Sequence, residues 1–378
     1  SCLAGRPAVT TELSRRELRI GLAATRAAGL RELRWLEAAA GGLEACEHAP
    51  PARLRLSKGL REAIAGEGLR SRGQRALDNA AACGTEWLVY CDSSYPSRLL
   101  ALANPPIAIC TRGVLPLEDQ RSLAVVGSRR CSRYAARSAE TFGRELAGRG
   151  ICVVSGLARG VDAAAHRGSL QAKILDTGPI SPTLAVLGCG LDGIYPPEHE
   201  RLAAEIIAGG GSLVSEFEPG TPPLPAHFPR RNRLIAGLSD GVLLIEAAER
   251  SGGLITVRWA SDLGRDVFGL PGQVDNPQAA GVLALIRDGV RPIRHVDDLL
   301  EDMGWTPEVG PAETPAPRTE LRAEEARLLE RLDHEGMGID EILNGLGQSV
   351  GQALTTLLAL ELKGRVEQLP GLRFRRKG

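Results

Sequence analysis

Apolar residues fall along this chain in three successive rhythms. Up to about residue 84, leucine and alanine recur at helical spacing, with breaks at Gly41-Gly42 and Pro50-Pro51. That pattern predicts a small domain of short helices over 1–84. From Thr85 the texture changes. Trp87–Tyr90 predicts a strand, and Tyr95-Pro96 opens a turn-rich segment reaching Gly113. Six short apolar runs then alternate with helical patterns: Leu123–Val126, Ile151–Val154, Thr183–Leu187, Ser212–Ser215, Val242–Ile245 and Asp266–Leu270. Near-continuous apolar strands separated by helices predict a parallel sheet covered on both faces, an α/β, Rossmann-like, doubly wound domain over 85–305. Pro307, Pro311, Pro315 and Pro317 stiffen the stretch 306–318 into a linker. Beyond it, Leu321–Leu332, the stretch from Gly338 to Leu343, and Ser349–Lys363 predict three helices, and Gly364–Phe374 predicts a hairpin. Three helices followed by a hairpin form a winged-helix pattern over 319–378.

Ligands of doubly wound sheets bind beyond the carboxyl ends of the strands. Here those ends are Gly127-Ser128-Arg129, Ser155 to Gly160, Gly188-Cys189-Gly190 and Glu246. A strand that breaks at glycine and opens a helix presents bare N–H groups and the positive end of a helix dipole, a setting for phosphate. Gly127-Ser128-Arg129 adds a guanidinium to such a turn. Positions 129 and 132 are Arg and Ser, so the G-x-G-x-x-G spacing of a dinucleotide site is missing and no cofactor is expected. Ser155, Gly156, Arg159 and Gly160 form a second glycine-rich turn. Asp162 and His166 follow it four residues apart, on one helical face, in a capping or orienting role. The G-x-S-x-G elbow of a serine hydrolase is absent. Ser251 and Gly252 open a third possible anion cradle. Phe228, Arg230, Asn232 and Arg233 combine guanidinium forks with an aromatic face on which a base can stack. The other reading of these arginines is a surface loop paired with Glu216 and Glu218. Together the loop tips are expected to converge on one rim.

Composition changes the picture at two points. Lys plus Arg equals Asp plus Glu at 46 each, so any basic surface is local. Between Arg121 and Leu170 nine arginines face three acidic residues, an excess of six, enough to focus a positive field. The eight cysteines show no CxxC spacing, which argues against zinc. No signal peptide and no long apolar run is visible, so a reduced, cytoplasmic protein without a membrane span is expected. Ser1 stands where an initiator methionine would, which suggests a trimmed end.

Taken in order, these motifs resemble the DNA-processing protein A (DprA/Smf) family. The resemblance rests on Tyr95-Pro96, Val126-Gly-Ser-Arg129, Val154-Ser-Gly-Leu-Ala-Arg-Gly-Val-Asp162, Phe228-Pro-Arg-Arg-Asn-Arg233, Ser251-Gly-Gly-Leu-Ile-Thr256 and Pro271-Gly272. It implies an extended Rossmann domain that binds single-stranded DNA without sequence preference, and a homodimer that hands DNA to the RecA recombinase in natural transformation. It also implies an N-terminal helical domain of sterile-alpha-motif type, a C-terminal winged helix, and no enzymatic activity. The segment 171–182 is longer than the family's usual turn and is expected to be a surface insertion. The rival reading is a nucleotide-processing Rossmann enzyme of the LOG phosphoribohydrolase type. Ser251–Thr256 echoes that family's signature only in part, because Val257-Arg258 replaces the expected acid.

Overall fold

The computed structural model describes residues 8–39, 43, 56–65, 68–172, 180–305, 323–333, 336–343, 350–362 and 365–376. The predicted linker 306–318, most of the predicted insertion and the breaks at Gly41-Gly42 and Pro50-Pro51 lie outside these residues. The chain divides into two compact units, Ser1–Thr306 and Pro307–Gly378.

In the first unit, α1 (Ala8–Thr25), α2 (Leu30–Ala39), α3 (Lys58–Ala65) and α4 (Leu69–Ala82) follow the leucine spacing. Leu18, Leu22, Leu33, Leu36, Leu60 and Leu69 meet in one buried cluster. α1 and α4 cross where Gly21 and Gly73 face each other's helix backbone, so an added Cβ on either would strike a carbonyl. Ile20 of α1 and Ala76 and Ala80 of α4 pack on Trp87 and Cys110 of the sheet. The Trp87 indole donates to the Ala76 carbonyl at 3.1 Å.

Among the described residues the main sheet has nine strands. β1 (Glu86–Val89) and β2 (Ala108–Gly113) form an antiparallel pair at one edge. β2 lies in the segment expected to be turn-rich as far as Gly113. It is a short strand directly after Pro105-Pro106, and four of its six residues are buried. β3 (Ser122–Val126) leads into α5 (Arg133–Gly148), β4 (Cys152–Ser155), α6 (Val161–Leu170) and β5 (Thr183–Leu187). α7 (Glu200–Ala208) and β6 (Ser212–Ser215) follow, then α8 (His227–Gly237), β7 (Gly241–Leu244), α9 (Gly253–Asp262) and β8 (Asp266–Gly269). α10 (Ala280–Arg287), β9 (Arg291–Pro292) and α11 (Val296–Asp302) complete the unit. The strand order is β1-β2-β6-β5-β4-β3-β7-β8-β9, parallel from β6 to β9. β2 runs antiparallel to β6. β3, β4, β5, β6 and β7 are buried at every residue, as the continuous apolar runs require.

From β3 the chain winds outward through β4, β5 and β6, then returns to place β7 on β3's other side. This reversal makes the crevice between the β3 and β7 carboxyl ends the topological switch point. α5 starts at Ser132, whose hydroxyl accepts from the Ala135 N–H at 3.1 Å, and buries Ala135, Ala139, Phe142 and Leu146 one or two turns apart. α5 and α6 press together through Gly143 and Gly168, each against the other's backbone.

The second unit contains α12 (Ala323–Arg331), β10 (Met337–Gly338), α13 (Ile339–Leu343), α14 (Val350–Leu362), β11 (Val366–Leu369) and β12 (Arg373–Arg376). Its three-stranded antiparallel sheet runs β10-β12-β11. Leu328, Ile342, Leu357, Leu360, Val366 and Phe374 make its core. Among the described residues, no helix is long and apolar enough to cross a membrane.

Candidate nucleic-acid interface

At the switch point the loops after β3 and β7 stand apart and enclose an open cavity of about 610 Å³. Gly127, Ser128 and Arg129 form one lip, Ser251 and Gly252 the other, and Phe228 and Asn232 of α8 close the side. The β3–α5 turn is held tightly. The Ser128 N–H donates to the Glu246 carbonyl at 2.6 Å, and the Ser128 hydroxyl donates to Gln278 at 3.1 Å while accepting from the Arg130 N–H. Gly127 has no room for a side chain, because a Cβ there would meet Val161 and the Glu246 carbonyl. Below the turn the buried Glu246 carboxylate accepts from the Ser132 N–H (2.9 Å), the Ser132 hydroxyl (2.7 Å) and the Asn276 amide (3.2 Å).

The exposed cations of the cavity are Arg129, Arg130 and Arg250. Arg129 lies over the Phe228 ring at 5.2 Å, and Phe228 in turn meets Tyr195 with centroids 5.4 Å apart. One wall therefore offers two aromatic rings and a guanidinium, the surface on which an unpaired base stacks.

Phe228 to Arg233 lies not in a loop but in the first turns of α8. Successive residues of a helix point about 100° apart, so the arginines diverge. Arg231 turns inward, is 3% exposed, and donates to the Gly156 carbonyl at 2.7 Å and to the Val186 carbonyl. Burial pulls its guanidinium down to about 10, still charged at neutral pH. Arg231 and Asp162 line the cavity floor. Asp162 is buried and accepts from the Gly156 N–H at 3.1 Å and the Ala158 N–H at 3.4 Å, and burial pushes its carboxyl upward. It braces the turn ahead of α6, consistent with the orienting role expected for it.

The rim expected from the sequence is therefore narrower than its list of residues. Arg230 and Arg233 point to the far side of α8, where both pair with Glu216, and Arg233 also donates to the Asn104 carbonyl at 2.8 Å. Their pairing with Glu216 matches the alternative reading of that motif. Arg159 is exposed beside a small neighbouring recess and bonds Glu198, which lowers the Glu198 carboxyl and raises the guanidinium. The Ser155 hydroxyl is buried and donates to the Val125 carbonyl at 2.6 Å, so it offers nothing to a ligand. The Gly156 backbone is engaged by Asp162 and Arg231, and a Cβ there would collide with the Arg231 guanidinium. Gly160 has φ +79° and abuts the Ser128 and Arg129 backbone, so it is glycine for the turn and the close approach. Among the cavity's charged and aromatic side chains, Arg130, Tyr195 and Arg250 were not expected there, and Arg231, expected as a phosphate-facing guanidinium of its motif, is turned inward instead. Arg130 and Arg250 flank glycine turns already singled out, and Arg231 stands inside the quoted arginine motif. Nothing local marks Tyr195 as a partner of Phe228.

His166, expected on one face with Asp162, is buried. Thr183 Oγ1 donates to the Val153 carbonyl, so it accepts from His166 Nδ1–H at 2.7 Å, and Nε2 has no partner. Burial pulls this imidazole down to about 3. It is neutral and faces the core.

Known proteins resemble this chain in sequence and fold. The family model for DNA recombination-mediator protein A matches residues 86–304, and that for the DprA winged helix domain matches 311–372. The chain is 41% identical to Protein Smf of Escherichia coli (strain K12) over 76% of its own length and 78% of that protein's. It is 40% identical to DNA processing protein DprA of Streptococcus pneumoniae over 56% and 72%. The crystal structure of DNA processing protein A from Streptococcus pneumoniae superposes with a TM-score of 0.57 at 32% identity, covering 75% of this chain and 95% of that one. DNA processing protein A from Helicobacter pylori, whose structure addressed its single-stranded DNA binding mode, superposes with a TM-score of 0.50 at 27% identity, covering 58% and 95%. With the Rossmann and winged-helix segments both matched and the sheet superposing on solved members, this chain belongs to the DprA/Smf family of DNA-processing proteins.

Proposed function

We propose that the switch-point cavity binds single-stranded DNA without sequence preference and that the protein is a non-enzymatic recombination mediator. In this reading it protects incoming single strands in the cytoplasm, acts as a homodimer and loads RecA during natural transformation. The observation that carries the reading is the stack of Arg129, Phe228 and Tyr195 in an open cavity bounded by two glycine turns. It combines phosphate-binding and base-stacking chemistry, neither of which depends on the identity of the base. The single-stranded DNA binding mode of the Helicobacter pylori relative supports the same ligand. Arg129, Arg130, Arg159 and Arg250 would meet phosphates, Gly127, Ser128, Ser251, Gly252 and Asn232 would line the strand's path, and Phe228 would stack. Gly156, Gly160, Arg231 and Asp162 would hold the floor. The proposed domain division is a sterile-alpha-motif-like helical domain at 1–84, the DNA-binding domain at 85–305, a linker at 306–318 and a winged helix at 319–378.

The absence of catalysis is supported by the engagement of Ser155, Asp162 and His166 in separate internal bonds, with no hydroxyl–imidazole pair among them. Incubation with nucleoside monophosphates should release no free base, whereas release would favour a phosphoribohydrolase. The direct test compares oligo-dT with duplex of equal length at several salt concentrations. Single strands should bind more tightly, with log K falling against log salt at a slope of about −3 if about four phosphates are neutralised. A slope near zero, or preference for duplex, would overturn the proposal.

A further inference from the structure

The far side of α8 carries a second, larger depression that the proposed DNA cavity does not use. It encloses about 830 Å³ between α8, α9 and the turn joining α1 to α2. Its chemistry repeats that of the first cavity. Trp35 is 43% exposed, and Trp259 is half-buried. Arg26, Arg31, Arg230 and Arg233 line it, against Glu32 alone among its lining acids. Glu216 lies behind Arg230 and Arg233, so the net charge stays positive. Arg26 and Arg230 also stand over the Phe217 ring, at 5.6 and 5.9 Å.

The two depressions are neighbours. Pro229 lines the first and Arg230 the second. Along α9, Ile255 lines the first and Trp259, one turn or about 6 Å further on, lines the second. On α2, Arg31 and Trp35 are spaced i, i+4, so cation and ring share a face. One exposed tryptophan and one half-buried one, interleaved with guanidiniums, offer what a flexible strand of bases and phosphates needs.

We infer that a single strand leaving the switch-point cavity crosses the α8–α9 shoulder and continues into this groove, stacking on Trp35 and Trp259 and pairing phosphates with Arg31 and Arg26. The inference rests on the proposed DNA binding by the first cavity. It makes the N-terminal helices part of the nucleic-acid track and lengthens the bound segment.

The test measures binding of labelled oligo-dT, one about 6 nucleotides long and one about 30, to the full chain and its variants. Trp35→Ala and Arg31→Ala should each weaken the long oligomer about fivefold or more while leaving the short one unchanged. Arg31→Ala should also make the salt slope for the long oligomer shallower by about 0.7. Long oligomer should quench tryptophan emission more in the unmodified protein than in Trp35→Phe. Both altered side chains are solvent-exposed, so folding should be intact, which the short oligomer checks. If both variants bind the long oligomer normally while Arg129→Ala weakens both lengths, the strand stops at the first cavity and this inference is wrong. Equal losses for both lengths would also overturn it. If Arg129→Ala changes neither length, the functional reading itself fails. A protein partner that protects Trp35 while DNA leaves it unprotected would assign the groove to that partner instead.

Discussion

Arg129 is the side chain on which the cavity's chemistry turns, because it is both an exposed cation and the lid over Phe228. Arg129→Ala should lower affinity for single strands roughly tenfold, equally for all sequences, and reduce the salt slope by about 0.7, with the thermal midpoint unchanged. Fluorescence polarisation across salt concentrations checks this. His166 supports a different prediction. Its folded pKa is depressed to about 3 from 6.5, so the unfolded chain binds a proton that the folded chain refuses. The stability this contributes is complete above pH 6.5 and is lost as pH falls toward 3. Between pH 7.5 and 5.0 the loss should be about 2 kcal/mol. Unfolding free energies from urea titrations at the two pH values should therefore differ by about 2 kcal/mol less in His166→Gln than in the unmodified protein. An equal pH dependence in both would show that His166 is not the group responsible.

At the scale of elements, the close contacts of helix pairs are set by reciprocal glycines. Gly143 and Gly168 let α5 lie against α6, and Gly21 and Gly73 do the same for α1 and α4. Gly143→Leu should cost about 2–3 kcal/mol, because the added atoms meet backbone that cannot yield. Denaturant unfolding measures it, and a cost below about 1 kcal/mol would mean α5 can shift freely. The parallel strands were legible because a strand buried on both faces leaves an unbroken apolar run, as at Leu184 to Leu187. α8 was not legible. Its first two turns, His227 to Arg233, bear five polar residues out of seven because one side faces the switch-point cavity, the other side faces Glu216, and an arginine is buried between them. β2 escaped because Ala-Ile-Cys-Thr-Arg-Gly after two prolines has neither alternation nor a long apolar run. The three glycine turns at the strand ends were legible as turns. Which of their amides would face a ligand depended on contacts with Asp162, Arg231 and Glu246, which come from distant parts of the chain.

Across the whole molecule, a chain with balanced charge can still grip a polyanion if its free guanidiniums gather at one place. Arg129, Arg130 and Arg250 do so, while many other arginines are tied to neighbouring acids, such as Arg149 to Asp297 and Arg291 to Asp266. The two units have separate cores. Removal of 307–378 should therefore leave the first unit folded with its affinity for short oligo-dT within about twofold, as measured by polarisation and circular dichroism. Loss of binding in a folded truncation would move the site to the winged helix. β9, the outermost strand beyond β8, is two residues long and ends on Pro292, which has no amide hydrogen to offer a neighbour. That flank is therefore closed to strand-by-strand growth, a guard against amyloid-like stacking. A pair of subunits joined near there would have to interlock side chains rather than merge two ribbons into one.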